Sequence, residues 1–142
     1  MGKASAETAW VAPYHDAWNS HDGGRVAAFM AEDVTYEDLA GGAVFHGRDE
    51  VAAYVAATHV WSTDYRFVAV TTQSSGGSYA VEWEMLGTNT GAFGALPPTG
   101  KPYRIRGVSV GRLNDAGEIA TNRDYFNVAD YLAQVGLFPP PA

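Results

Sequence analysis

The clearest alternation of apolar and polar positions runs from Tyr79 to Asn89, with Tyr79, Val81, Trp83 and Met85 on one face and Glu82 and Glu84 on the other. That two-residue period predicts a strand with one buried face. The same period predicts strands over Tyr65–Thr72, Glu32–Asp38, Tyr103–Leu113 and Glu118–Phe126, and a short one over Ala43–Phe45. A Ser/Gly turn over Gln73–Ser78 makes the first of the long pairs a hairpin. Helical spacing appears in the N-terminal half. Trp10, Tyr14 and Trp18 recur every four residues within a predicted helix over residues 5–20, with Ser5 as N-cap and Pro13 as a kink or the true start. Asp22 caps a second helix reaching Met30, and Arg48-Asp49-Glu50 opens a third with Val51, Tyr54 and Val55 on one face. A short closing helix spans Asn127–Gln134 and stops at Gly136, with Phe138 and the three prolines after it packing along the surface.

The stretch from Tyr103 to Tyr131 carries the most chemistry. Asn114-Asp115-Ala116-Gly117 supplies a turn, with Gly117 free to take positive φ. Counting back across a four-residue loop sets Leu113 opposite Glu118, Ser109 opposite Asn122 and Gly107 opposite Asp124. Gly107, Ser109, Gly111, Asn122 and Asp124 then share one face, because side chains alternate along a strand. Small residues beside a carboxylate predict space for a ligand on that face. Thr90–Lys101, rich in Gly and Pro, is long enough to be a functional rim.

Three helices followed by a strongly curved, mostly antiparallel sheet and a short C-terminal helix make an α+β plan, a cone whose interior is the ligand site. Its 142 residues fit one domain, spanning 1–142. The net charge of −7 comes with only nine dispersed Lys and Arg, which argues against a nucleic-acid partner. No apolar run is long enough to span a membrane and no leader is expected, so a cytoplasmic location is predicted. Without cysteine there is no disulfide and no thiolate metal site, and the four histidines lack metal-type spacing, so no metal is expected. Aromatic residues make up 13% of the chain, enough both to fill a core and to wall a pocket for a flat or polycyclic ligand.

AWNSHD (Ala17–Asp22), VTYEDLAGG with HGRDEV, GTNTGAFGALPPTGKPYRIRGVSVGRL and NRDYFNVADYLAQVGL together resemble the NTF2-like superfamily, and within it the SnoaL-like polyketide cyclases. The resemblance covers nearly the whole chain. It implies an apolar pocket, no cofactor, a homodimer or homotetramer through the open sheet, and intramolecular aldol-type ring closure on a polycyclic or polyketide-like substrate. In those cyclases one aspartate on the last long strand is acid and base, a position matched by Asp124. Their pocket histidine has no counterpart in RIRGVSV. The N-terminal half also resembles ketosteroid isomerases, which places Tyr14 and Asp38 at the oxyanion-hole tyrosine and the catalytic base, with Ser109 where a second donor would stand. An epoxide hydrolase of the same superfamily needs an Asp-Arg-Asp set that this chain does not assemble.

Both relatives abstract a proton next to a carbonyl, which needs a carboxylate at carbon and hydrogen-bond donors at oxygen. The expected catalytic set is Asp124, Asp38 and Tyr14, with Trp18, Tyr36, Tyr54, Trp83, Phe93, Ser109 and Asn122 around the substrate. The rival expectations are an isomerase with Asp38 as base, and a non-catalytic pocket protein that kept the fold.

Overall fold

The computed structural model describes residues 7–138. Four helices, α1 (Val11–Asn19), α2 (Gly23–Ala27), α3 (Gly47–Trp61) and α4 (Val128–Gln134), accompany six strands. The strands are β1 (Met30–Asp38), β2 (Ala43–His46), β3 (Arg66–Ser75), β4 (Ser78–Thr88), β5 (Pro102–Leu113) and β6 (Ile119–Phe126). They form one sheet in the order β2-β1-β6-β5-β4-β3. Every neighbouring pair is antiparallel except β1 and β6, which run parallel.

Local chemistry explains most element ends. Asp22 caps α2 by accepting from the Gly24 and Arg25 amides at 2.9 and 3.3 Å. α2 stops at Ala27 rather than Met30, because Met30 pairs with Ile119 and the Phe29 carbonyl accepts from the Ile119 amide at 2.9 Å. Strand pairing outcompetes another helical turn there. α1 begins at Val11, so Pro13 sits in the first turn, where a missing amide proton costs nothing; the Ser5 cap lies outside the described residues. β3 runs on to Ser75, because Gly76 and Gly77, both at positive φ, make a two-residue turn and leave the flanking residues free to pair. α4 closes on a Schellman motif, with the Leu137 amide on the Leu132 carbonyl at 2.7 Å and the Gly136 amide on that of Ala133 at 3.2 Å. Phe138 beyond it is exposed rather than packed down, and the prolines that follow lie outside the described residues.

The register of β5 on β6 corrects the sequence expectation. Ser109 pairs with Asp124, Gly111 with Asn122, and Gly107 with Phe126. The Asn114 carbonyl group of the side chain accepts from the amides of both Ala116 and Glu118, which closes the turn, and a bulge follows between Leu113 and Arg112. The offset is two residues, so the same side chains still share one face.

The core lies between the concave face of the sheet and the helices. Val26, Met30, Val34, Val51, Val55, Ile105, Ile119 and Tyr131 are fully enclosed. α2 crosses α3 at Gly23, where an added Cβ would stand 2.5 Å from the Ala52 carbonyl oxygen. That close crossing brings the face of α3 bearing Tyr54 over β1.

Candidate functional site

The parallel pairing of β1 and β6 builds the site. It sets Tyr36 beside Asn122 and Asp38 beside Asp124, all on the concave face. Both aspartates are 8% exposed, so two carboxylates from distant parts of the chain lie on adjacent strands in a largely dry setting.

Asp124 is held on both oxygens. Its Oδ1 accepts from Ser109 Oγ at 2.6 Å and Asn122 Nδ2 at 2.8 Å, and its Oδ2 from the Tyr36 hydroxyl. Behind them, Tyr79 donates to Asn122 Oδ1 at 2.6 Å and Trp83 Nε1 donates to Ser109 Oγ at 2.9 Å. Burial pushes the Asp124 carboxyl up to about 6; the bonds from Ser109, Tyr36 and Asn122 oppose this, and the neighbouring Asp38 adds to it. Asp38 accepts from Tyr54 at 3.0 Å on Oδ2 and from the Gly41 amide at 3.0 Å on Oδ1. Burial, and then the field of Asp124, hold the Tyr36 and Tyr54 hydroxyls well above the ordinary tyrosine range, so both remain proton donors.

A cavity of about 70 Å³ opens on these two carboxylates. Trp18, Tyr54, Trp61, Phe67, Trp83, Phe93 and Phe126 supply its aromatic walls, and Thr58, Met85 and Gly41 complete it. It does not lie above the glycines of β5. A Cβ on Gly107 would stand 2.2 Å from the Trp83 ring, and one on Gly111 2.1 Å from the Thr121 carbonyl oxygen and 2.5 Å from the Tyr79 hydroxyl. The small residues therefore admit large rings of β4 rather than a ligand, and this corrects the expectation that they leave the face empty. The hollow that remains lies further along, between the ends of β1 and β6, α3 and the 89–101 loop.

Among the residues expected from sequence, Asp124, Asp38, Trp18, Tyr54, Trp83 and Phe93 face this cavity. Tyr36, Ser109 and Asn122 stand behind it with their polar groups turned to Asp124. Tyr14 is buried against Trp10 and Phe29, and its hydroxyl meets Trp18 and Tyr36 rather than the cavity. The wall residues that sequence reasoning missed had a signal. Thr58 and Trp61 follow the expected Tyr54 at helical spacing, and Phe126 and Met85 lie two positions from Asp124 and Trp83 along their strands. Asn89 had none: it is fully buried, and its side chain holds the rim loop by accepting from the Thr99 amide at 2.8 Å and donating to the Gly91 carbonyl at 3.0 Å.

Among the described residues no group of three or more His, Asp or Glu side chains is placed to hold a metal ion. No described helix is long and apolar enough to cross a membrane. What the arrangement supplies is a fixed, desolvated carboxylate and a second carboxylate beside it, each held by a tyrosine donor, the components of proton transfer at carbon.

Solved structures share this architecture. A protein of ketosteroid isomerase-like fold from Catenulispora acidiphila, solved with trimethylamine, is 24% identical over 89% of this chain and 91% of its own, with a TM-score of 0.79. A candidate polyketide cyclase from Xanthomonas campestris pv. campestris is 27% identical over 91% and 96%, with a TM-score of 0.76. IdmH, a candidate polyketide cyclase from Streptomyces antibioticus, is 22% identical over 93% and 99%, with a TM-score of 0.79. No protein of curated function matches the sequence. The family profile described as the SnoaL-like domain matches residues 11–122, from the first turn of α1 to the strand that carries Asp124. With its curved six-stranded sheet, its helices over the concave face and that match along most of its length, the chain belongs to the SnoaL-like domain family.

Proposed function

We propose that this protein is a cofactor-independent acid/base enzyme that removes a proton from carbon next to a carbonyl and closes a ring by an aldol-type step. Asp124 is the base. The observation that carries this reading is its carboxylate: buried, fixed by three donors, facing an aromatic cavity, and raised toward the pH at which a base works best. The family and the candidate cyclases among the related structures support a polyketide-like substrate. A cavity of about 70 Å³ is smaller than the roughly 300 Å³ at which ligand pockets usually begin, so a polycyclic substrate requires the cavity to widen.

The test is exchange of the α-hydrogens of 1-tetralone in D₂O, followed by NMR. Asp124→Asn, with its melting temperature checked, is expected to slow enzyme-dependent exchange by about 10²–10⁴-fold. An unchanged rate removes Asp124 as base. Binding of the ketone with no exchange in the wild-type protein favours the non-catalytic pocket protein instead. Asp38 facing the same cavity keeps the isomerase-like reading in play, with Asp38 as base, although Tyr14 stands behind Tyr36.

We also propose that two copies pair through the convex face of the sheet. Val68 and Tyr125 are 40% and 39% exposed there, and Arg104 and Arg106 flank them with Glu84 between as ion partner.

A further inference from the structure

We infer that Asp38 and Asp124 work as one dyad that holds a single proton, the ionised member acting as base while the protonated member acts as acid. This rests on the proposed proton abstraction and adds a second catalytic residue to it.

Three observations lead there. First, the two residues are direct partners on adjacent parallel strands, and strands so paired lie only about 4.8 Å apart. Second, among the described residues neither carboxylate has an ion pair. Among the described residues the ion pairs are Arg48–Glu118, Arg104–Glu84 and Arg106–Glu84, all away from the cavity. The ionisable groups that feel the charge of Asp124 are tyrosines: Tyr14 from α1, Tyr36 from β1, Tyr54 from α3 and Tyr79 from β4, each held protonated chiefly by burial, with Arg123 of β6 acting the other way on Tyr79. Two adjacent carboxylates in an apolar enclosure do not both ionise readily. Third, an enolate needs a proton donor at oxygen, and the cavity's hydroxyls are already engaged. Tyr54 donates to Asp38, and Thr58 donates to the Tyr54 carbonyl at 3.0 Å. Ser109 and Tyr36 are spent on Asp124. The acid is therefore a carboxyl of the pair.

The protons balance over the cycle. The ionised carboxylate takes the α-hydrogen, the C–H electron pair becomes the carbon–carbon double bond, and the carbonyl π pair moves to oxygen. That oxygen takes the proton of the other carboxyl, giving the enol. The enol carbon then bonds to the acceptor carbonyl carbon. The acceptor oxygen takes the proton first collected, and the enol O–H returns its proton to the carboxylate that lent it. The pair ends as it began, with one proton and two oxygen acceptors held in place by Tyr54 and by the Asp124 donors.

Such a pair titrates in two coupled steps that belong to both residues. NMR of protein carrying ¹³C-carboxyl aspartate, without substrate, is expected to show two mutually dependent curves for this pair. In Asp38→Asn the Asp124 curve should move down, since its like-charged neighbour is gone. Tyr54→Phe, which leaves both carboxyls in place, should raise the upper step and guards against misfolding of the Asn variant. In the 1-tetralone assay, wild-type exchange should follow a bell-shaped pH profile, and Asp38→Asn should lose at least about tenfold in rate along with one limb of the bell. An Asp124 curve unmoved by Asp38→Asn, or full exchange with an unaltered profile in that variant, overturns the dyad. If Asp124→Asn abolishes exchange in the same series, Asp124 still stands as the base. If Asp124→Asn exchanges normally, both readings fall.

Discussion

His15 and Asp124 depart from their ordinary ionisation in opposite senses, and their effects on stability meet in the same pH range. His15 is buried beside Phe67 with its Nδ1 lacking a hydrogen-bond partner among the described residues, and burial lowers it from 6.5 to about 4 while Asp16 pulls the other way. As pH falls below 6.5 the unfolded chain takes up a proton that the folded imidazole refuses, so stability from this group is lost between 6.5 and 4. Asp124 runs the other way. Its folded carboxyl keeps a proton up to about 6, whereas the unfolded one releases it near 3.8, so this contribution is present at low pH and lost as pH rises through 6. Each integrates to about 3 kcal/mol, and between pH 4 and 6 the two slopes oppose each other. His15→Phe should therefore leave a protein that becomes more stable as pH falls from 6 to 4, and Asp124→Asn one that becomes less stable over that range. Urea midpoints measured across pH 4 to 7 check both signs.

At the scale of elements, the glycines of β5 and the loop after β4 divide the work between packing and access. A methyl group at Gly107 must displace the Trp83 ring, whose indole N–H also anchors Ser109. Gly107→Ala is expected to cost about 1–3 kcal/mol by overpacking, read from the urea midpoint, and to weaken the hold of Ser109 on Asp124. In the loop, Asn89 provides both the acceptor for Thr99 and the donor for Gly91, and the backbone of Asn89 pairs with Gly100 and Lys101. Asn89→Ala strands the Thr99 amide and the Gly91 carbonyl, so about 1–3 kcal/mol should be lost and amide exchange at Thr99 should accelerate. The composition of the loop marked it as a rim, yet its latch was not legible. A single Asn acquires that role only when the chain folds back on it.

For the whole molecule, the sheet has two faces with different tasks. The concave face carries the carboxylates and the aromatic walls. The convex face carries Val108 and Val110 between charged rows, with Tyr125 opposite Val108 on β6. If copies pair through that face, Val108→Asp should convert a dimer into a monomer in sedimentation experiments and leave the circular dichroism spectrum unchanged. A dimer that persists would place the interface elsewhere.

Much of this fold was readable along the chain because its causes are local. Alternation over β4, β5 and β6 assigned side chains to faces, the Asp22 cap and the aromatic stripe of α1 marked helices, and the turn at Gly117 joined the last hairpin. Face membership even survived the two-residue error in register, since a strand repeats every two residues. Three things were decided only in three dimensions: that β1 lies parallel to β6, that Trp83 and Tyr79 occupy the space over the glycines, and that Asn89 ties down the rim. Each depends on pairing or packing between segments far apart in sequence, where no period records which partner will arrive. The sequence could nominate Asp38 and Asp124 separately, but only the folded sheet makes them neighbours.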